Sequence, residues 1–204
     1  MRVCILAYDG LDYYLVRDGD YPNLKQAEHG LVDISGFTLS TYVLWASFIT
    51  GLEQTQHKVR FLWKFIPERL YSFLAPKVER ILDKFSMLRR EVIGIADLWH
   101  TKEDFRRKGI KTIFDYAKRP VAISIPSYNE SETDIWIALR TDFVSGHEEA
   151  LRFMKYIWKV HEDKKREVLR RLQEEEWDLF MAWFALADLV GHLLWYEEEQ
   201  MAAA

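Results

Sequence analysis

The chain has 204 residues, and 28 Lys and Arg against 32 Asp and Glu give a formal net charge of −4. With 49% hydrophobic and 15% aromatic residues it can bury a large core, which excludes disordered, collagen-like and low-complexity classes. A slightly acidic chain lacks the positive field that favours phosphate binding, so nucleic acid is disfavoured as the main partner. The single cysteine, Cys4, leaves no internal disulfide framework and indicates a reducing, cytoplasmic compartment.

The N-terminal segment predicts a strand and two weaker elements. Val3–Tyr8 is a short apolar run that stops at the turn signal Asp9-Gly10, which is typical of a central strand in a parallel sheet. Asn23–His29 is compatible with a helix, and Leu31–Ser35 with a second short strand. The apolar runs of the chain are too short or too interrupted by charge to span a bilayer, and the N-terminus lacks a cleavable signal pattern. No membrane partner is therefore expected.

A short helix and an insertion come next. Tyr42–Thr50 follows Ser40 and Thr41 and ends at Gly51, a pattern that predicts a helix with a glycine stop. Residues 58–93 carry apolar side chains at helical spacing with basic residues between them, which predicts an inserted helical subdomain or cap. Its apolar stripe suits either a lid on its own domain or an association surface. Its basic excess leaves a nucleic-acid or membrane-surface element as a further alternative.

The rest of the chain alternates between helical and strand patterns. The predicted elements are a helix at Phe105–Lys118, a strand at Pro120–Ile125, a weaker strand or extended loop at Asp134–Thr141, a long charged helix at Glu148–Glu176 and a buried strand at Leu179–Ala187. The sequence therefore predicts an α/β fold, with a mostly parallel sheet flanked by helices and an inserted helical subdomain.

Two aspartates directly follow the two most strand-like runs. Asp9 and Asp188 are expected at the carboxyl ends of parallel strands, which form the binding edge of such sheets. Helix capping is the alternative role for each. His192 follows Asp188 by four residues, so both side chains share one face of a helical turn, and a carboxylate with an imidazole suits zinc or a similar ion. A structural histidine is the alternative, and Gly191 indicates a close backbone approach.

Thr41 is the third candidate, a hydroxyl at the start of a short helix. The free N–H groups and dipole at a helix N-terminus favour an anion such as phosphate. The alternative is that Thr41 is only an N-cap. A threonine hydroxyl is a weak nucleophile that needs activation by a base or a metal, and a metal held by Asp9 could supply that.

Several motifs in order resemble the N-terminal part of the alkaline phosphatase superfamily, nearest its type I phosphodiesterase/nucleotide pyrophosphatase branch. The matching segments are Leu6-Ala7-Tyr8-Asp9-Gly10-Leu11-Asp12, Tyr21-Pro22-Asn23-Leu24 followed by Gly30, and the segment from Thr41 to Thr50-Gly51-Leu52. Further matches are Ile113–Lys118 followed by Ile125–Tyr128, and Trp177-Asp178-Leu179-Phe180 followed by Asp188-Leu189-Val190-Gly191-His192. His57 falls where the family has "H-G-I", although Lys58 replaces that glycine.

The resemblance implies a chemistry. Asp9 and Thr41 would bind one divalent ion, and Asp188 and His192 a second, with zinc favoured over manganese or magnesium. Thr41 would be the nucleophile in the hydrolysis of a phosphodiester or nucleotide through a covalent intermediate, and the ions would stabilise the attacking and leaving oxygens.

One departure concerns the C-terminal ligands. The family continues into a further Asp-His pair and a later histidine, which this sequence does not contain. Residues 1–204 are thus expected to form a single truncated alkaline phosphatase-like domain, whose metal shell needs a second copy or a complementing C-terminal chain. The alternative is a non-catalytic interaction or dimerisation module that retains the hydrolase fold.

Overall fold

A computed structural model describes residues 2–25, 27–59, 100–141, 144 and 146–202, without the side chains of residues 139 and 195–202. The described chain is mixed α/β and contains a three-stranded parallel sheet flanked by helices, which confirms the predicted fold class at that level. Two compact units are present. The first comprises Met1–Gly36, Ile113–Ile125 and Asn129–Ala204, and the second comprises Phe37–Thr112 and Pro126–Tyr128.

The sheet belongs to the first unit. Its strands are β1 (Val3–Tyr8), β2 (Pro120–Ile123) and β3 (Leu179–Phe184), in the spatial order β1-β3-β2. All six β3 residues are buried, as predicted for a strand covered on both faces. The predicted central position of β1 is wrong for the described sheet, where β1 pairs only with β3 and is largely exposed. A short apolar run does not report how many neighbours a strand has.

The helices flank this sheet or build the second unit. In chain order they are α1 (Tyr13–Asp18), α2 (Thr41–Thr50), α3 (Gln54–His57), α4 (Lys102–Arg107), α5 (Glu132–Thr141), α6 (His147–Glu174) and α7 (Leu186–Ala202), and Ile113–Asp115 forms a 3-10 turn. The predicted helices at 42–50 and 148–176 are confirmed as α2 and α6. Gly51 stops α2 in the left-handed conformation, with φ +68°.

Two apolar clusters of described residues pack the first unit. One joins alternate residues of β3 to β2 and α6; its members are Val121, Ile123, Val168, Trp177, Phe180, Ala182 and Phe184. The other joins α5, α6 and α7 through Ile137, Ala150, Phe153, Ile157, Leu189 and Leu193. Because Leu189 and Leu193 are fixed in this second cluster, the residues one position before them, Asp188 and His192, share the neighbouring face of α7.

Two predicted elements near the N-terminus are wrong. The helix expected at 23–29 is absent from the described residues there, and residues 22–24 form a turn. The strand expected at 31–35 is also absent, and Leu31 and Val32 are 63% and 81% exposed. Local apolar character does not make a strand where no neighbouring strand supplies backbone partners.

Two further predictions need correction. The strand or loop expected at 134–141 is helix α5, which Ser131 begins: its hydroxyl accepts the Asp134 N–H at 3.1 Å, as an N-cap does. The helix expected at 105–118 is the short α4, because Gly109 ends it with φ +69°.

The predicted insertion at 58–93 lies, from residue 60 onward, outside the described residues. Among the helices that are described, none combines the length and the apolar character needed to cross a membrane.

Candidate functional site at the carboxyl edge of the sheet

The carboxyl ends of β1 and β3 bring the two predicted aspartates to one edge. Tyr8 pairs with Phe184 at the end of the register, and the Asp9 N–H donates to the Phe184 carbonyl at 2.9 Å. The chain then turns at Gly10, while β3 continues into the first turn of α7, which carries Asp188. Both aspartates therefore lie where ligands bind in parallel sheets.

Gly10 lies directly against Asp188. It has φ +67°, and a Cβ placed on it would lie 2.5 Å from the Asp188 Cα and 2.6 Å from its backbone nitrogen. A Cβ on Gly191 would meet no described atom within 4 Å, so the close backbone approach expected there stays a prediction. The backbone contact that the structure describes at this edge is made by the turn after β1.

Asp188 and His192 face one another on α7. His192 Nε2 lies 3.6 Å from Asp188 Oδ1, and their side chains are 62% and 31% exposed. Burial raises the pKa of Asp188 above its ordinary value, and the neighbouring His192 opposes that shift. Asp188 is the third residue of α7 and lies inside the helix, so an N-cap role does not account for its position.

The pair fits a metal ion in donor type and spacing. Two donors that each lie about 2.1 Å from a zinc ion at the tetrahedral angle are about 3.4 Å apart. The observed 3.6 Å is close to that value and too long for a direct hydrogen bond. The ligand number does not fit a complete zinc site, since no three His, Cys, Asp or Glu side chains converge in the described part of the chain.

Thr41 is the first residue of α2 and belongs to the second unit, unlike Asp9, Asp188 and His192. Ser40 occupies the N-cap position and makes no side-chain hydrogen bond to the helix. The alternative role of Thr41 as an N-cap is therefore wrong: its backbone is already helical, and Ser40 is the cap.

His57 is fully buried in the second unit. Its Nδ1 accepts the Val59 N–H at 2.9 Å, and its Nε2 lies 2.9 Å from the Ser47 hydroxyl. An Nδ1 that accepts is unprotonated, so the neutral ring carries its hydrogen on Nε2. Burial, with a smaller contribution from Lys108, lowers the His57 pKa to about 4. These contacts identify His57 as a structural histidine that ties α3 to α2.

A buried polar network at the carboxyl end of β2 was missed by the sequence predictions. Lys164 on α6 places Nζ 2.7 Å from both carboxylate oxygens of Asp134, which also accepts hydrogen bonds from the Ser124 and Ser131 hydroxyls. Ser124, Ser131 and Lys164 line part of a groove of about 580 Å³. The S-x-x-D pattern of Ser131 and Asp134 is the signal that predicts this N-cap.

No family model, curated protein or solved structure matches the chain. The resemblance to the alkaline phosphatase superfamily thus stays a prediction from motifs.

Proposed function

We propose that this chain is a metal-dependent phosphoric-ester hydrolase of the alkaline phosphatase type, acting on a phosphodiester or nucleotide. One observation supports this most strongly: Gly10, which follows Asp9 at the end of β1, lies against Asp188 after β3, and Asp188 faces His192 at 3.6 Å. A carboxylate and an imidazole at the carboxyl edge of a parallel sheet are suitable ligands for a divalent ion at the usual binding edge.

Thr41 is the nucleophile in this proposal. Its Oγ1 loses its proton to solvent and attacks the phosphorus atom, the bond to the leaving group breaks, and the leaving oxygen takes a proton from solvent. Water then attacks the phosphothreonine and releases a proton, the Oγ1–phosphorus bond breaks, and Oγ1 takes a proton to restore the hydroxyl. The first turn of α2 supplies a positive dipole end for the phosphoryl oxygens.

Divalent ions, with zinc favoured over manganese or magnesium, would be held by Asp188 and His192, and the resemblance assigns Asp9 and Thr41 as ligands of a second ion. When bound, they lower the pKa of a coordinated hydroxyl and stabilise anionic oxygens. Each pair supplies fewer than the three or four ligands that zinc takes. The proposal therefore includes a second copy of the chain, or a complementing C-terminal chain, as the source of the remaining ligands.

A second function, a non-catalytic interaction module, is favoured by the exposed edge strand. β1 pairs on one side only among the described strands, and Val3, Leu6 and Tyr8 are 39%, 48% and 40% exposed. An uncovered apolar edge promotes association. Under this alternative the chain forms oligomers without binding metal.

Diesterase activity with a chromogenic phosphodiester and added zinc tests the first function. We expect Thr41→Ala to abolish turnover and Thr41→Ser to retain part of it, because serine keeps the nucleophilic hydroxyl. Thr50→Ala is the matched control at the other end of α2, where the hydroxyl donates to the Ala46 carbonyl. Equal activity in Thr41→Ala and the wild type would refute the nucleophile. Light scattering of the same samples tests the second function. Oligomers that form without binding metal would favour the interaction module.

A further inference from the structure

We infer that Gly10 is a positioning residue for Asp188. Because glycine has no side chain, the turn after β1 can pack directly against Asp188, and this contact sets the position of the Asp188 carboxylate in the metal site. The inference rests on the proposed function for its metal, but the contact that supports it is a feature of the fold. Gly10 itself supplies no ligand; it acts through Asp188.

The geometry leaves no room for a Cβ at Gly10. Such an atom would lie 2.5, 2.6 and 2.7 Å from the Cα, N and Cβ of Asp188. Carbon atoms in contact are normally about 3.5 to 4.0 Å apart. The colliding atoms are backbone atoms and the first side-chain carbon, so rotation of a flexible side chain cannot relieve the clash.

Both partners of this contact are anchored. On one side, the Asp9 N–H is bonded to the Phe184 carbonyl, which fixes the start of the turn to β3. On the other side, Leu189 and Leu193 bury the adjacent face of α7 in the cluster shared with α5 and α6. A side chain at Gly10 must therefore push the first turn of α7 away from the end of β1.

That displacement changes the site in a defined way. Asp188 lies in the first turn of α7 and His192 one turn further on. Moving the first turn alters the 3.6 Å spacing between Asp188 and His192. An ion held by these two side chains is sensitive to that spacing, because each ligand must lie within about 0.2 Å of its usual distance from the metal.

The chain offers a matched control. Gly10 and Gly109 have φ +67° and +69°, so Ala at either position adopts the same strained left-handed backbone. A Cβ on Gly109, in contrast, would meet no described atom within 4 Å. The difference between Gly10→Ala and Gly109→Ala therefore isolates the contact with Asp188 from the cost of the backbone conformation.

Zinc titration by calorimetry and amide NMR spectra of the wild type and both variants test the inference. We expect Gly10→Ala to weaken zinc binding by about tenfold or more, as loss of an outer support of a ligand does, and Gly109→Ala to leave it unchanged. The amide signals of Asp188 and His192 should shift only in Gly10→Ala. Equal zinc affinities in the two variants, or equal shifts of these signals, would overturn the inference.

Two further results distinguish a failure of the proposed metal site from a failure of the role inferred for Gly10. If the wild type binds no zinc, the proposed metal site fails, and the amide shifts alone decide the role of Gly10. If Gly10→Ala does not fold, the wild type provides the test: the α-protons of Gly10 should give a strong nuclear Overhauser contact to the Asp188 amide proton. A missing contact would overturn the inference.

Discussion

Removing the charge of Lys164 should destabilise the chain more than any change to an exposed ion pair. In the Lys164→Met variant the Asp134 carboxylate, only 7% exposed, loses a cation that lies 2.7 Å from Oδ1. Among the described residues it keeps the hydroxyl donors Ser124 and Ser131. Leaving one buried charge without its partner costs about 3 to 5 kcal/mol. For a chain of this length such a loss corresponds to a drop of about 10 °C in Tm.

Urea unfolding followed by circular dichroism measures this cost, with Lys165→Met as the matched control. Lys165 is the next residue on α6 and pairs with Glu162 at 3.3 Å, but this pair is exposed. Its loss should cost less than about 1 kcal/mol.

A double-mutant cycle isolates the buried interaction. Adding Asp134→Asn to Lys164→Met removes both charges. The double variant should therefore lose about 2 kcal/mol less free energy of unfolding than the two single variants lose together. A loss in Lys164→Met no larger than that in Lys165→Met would refute the reasoning, because it would mean that the Asp134 carboxylate is not deprived of solvent.

Three other predictions concern the second unit. Lys58→Gly should stabilise the chain by about 1 kcal/mol, because Lys58 ends α3 in the left-handed conformation with φ 56°, which favours glycine. Urea unfolding measures this gain, and the control Lys58→Ala, which keeps the Cβ, should leave the urea midpoint unchanged. The pKa of His57 in the folded chain, about 4, is below its ordinary 6.5. The stabilisation from the neutral ring is therefore present above pH 6.5 and is lost as the pH falls toward 4, which lowers the free energy of unfolding by about 3 kcal/mol in all. Urea midpoints across this range should show that slope in the wild type and not in His57→Gln; equal slopes would contradict the assignment. Ser47→Ala should cost about 1 to 3 kcal/mol in the same assay, because it leaves the buried Nε2–H of His57 without an acceptor, and an unchanged midpoint would argue against that hydrogen bond.

The elements that the sequence predicted well are those with a strong local signal. β3 is a continuous apolar run, and it is buried along its whole length. α2 is bounded by Ser40 and Gly51, and α6 has a long apolar stripe between charged residues. In each case the hydrophobic pattern or the boundary residues alone predict the type of element, and no contact with a distant part of the chain is needed.

The failures depend on distant partners. The apolar pattern of β1 does not indicate that this strand lies at an edge of the described sheet. Leu31 and Val32 pair with none of the described strands. Asp178 shows the same limit within a predicted motif. Its carboxylate accepts the N–H groups of Lys118 and Arg119, which ties the approach to β2 to the start of β3. That role is structural, and only the strand order reveals it.

The sequence predicts which side chains lie at this edge of the sheet, but it does not predict the backbone contact between them. Strand polarity alone places Asp9 and Asp188 at one edge, and helical spacing alone brings His192 beside Asp188. The contact of Gly10 with Asp188 follows from β1 and β3 being direct neighbours, which the sequence does not specify.

Zinc binding by the purified chain, measured by calorimetry with the oligomeric state recorded, tests the central claim most directly. The metal site predicts a Kd of about 1 μM or below that is lost in both Asp188→Asn and His192→Gln. The control His29→Gln changes an exposed histidine outside the site and should bind zinc as the wild type does. Absence of zinc binding in the wild type, or binding that both α7 variants retain, would contradict a metal centre at this edge of the sheet.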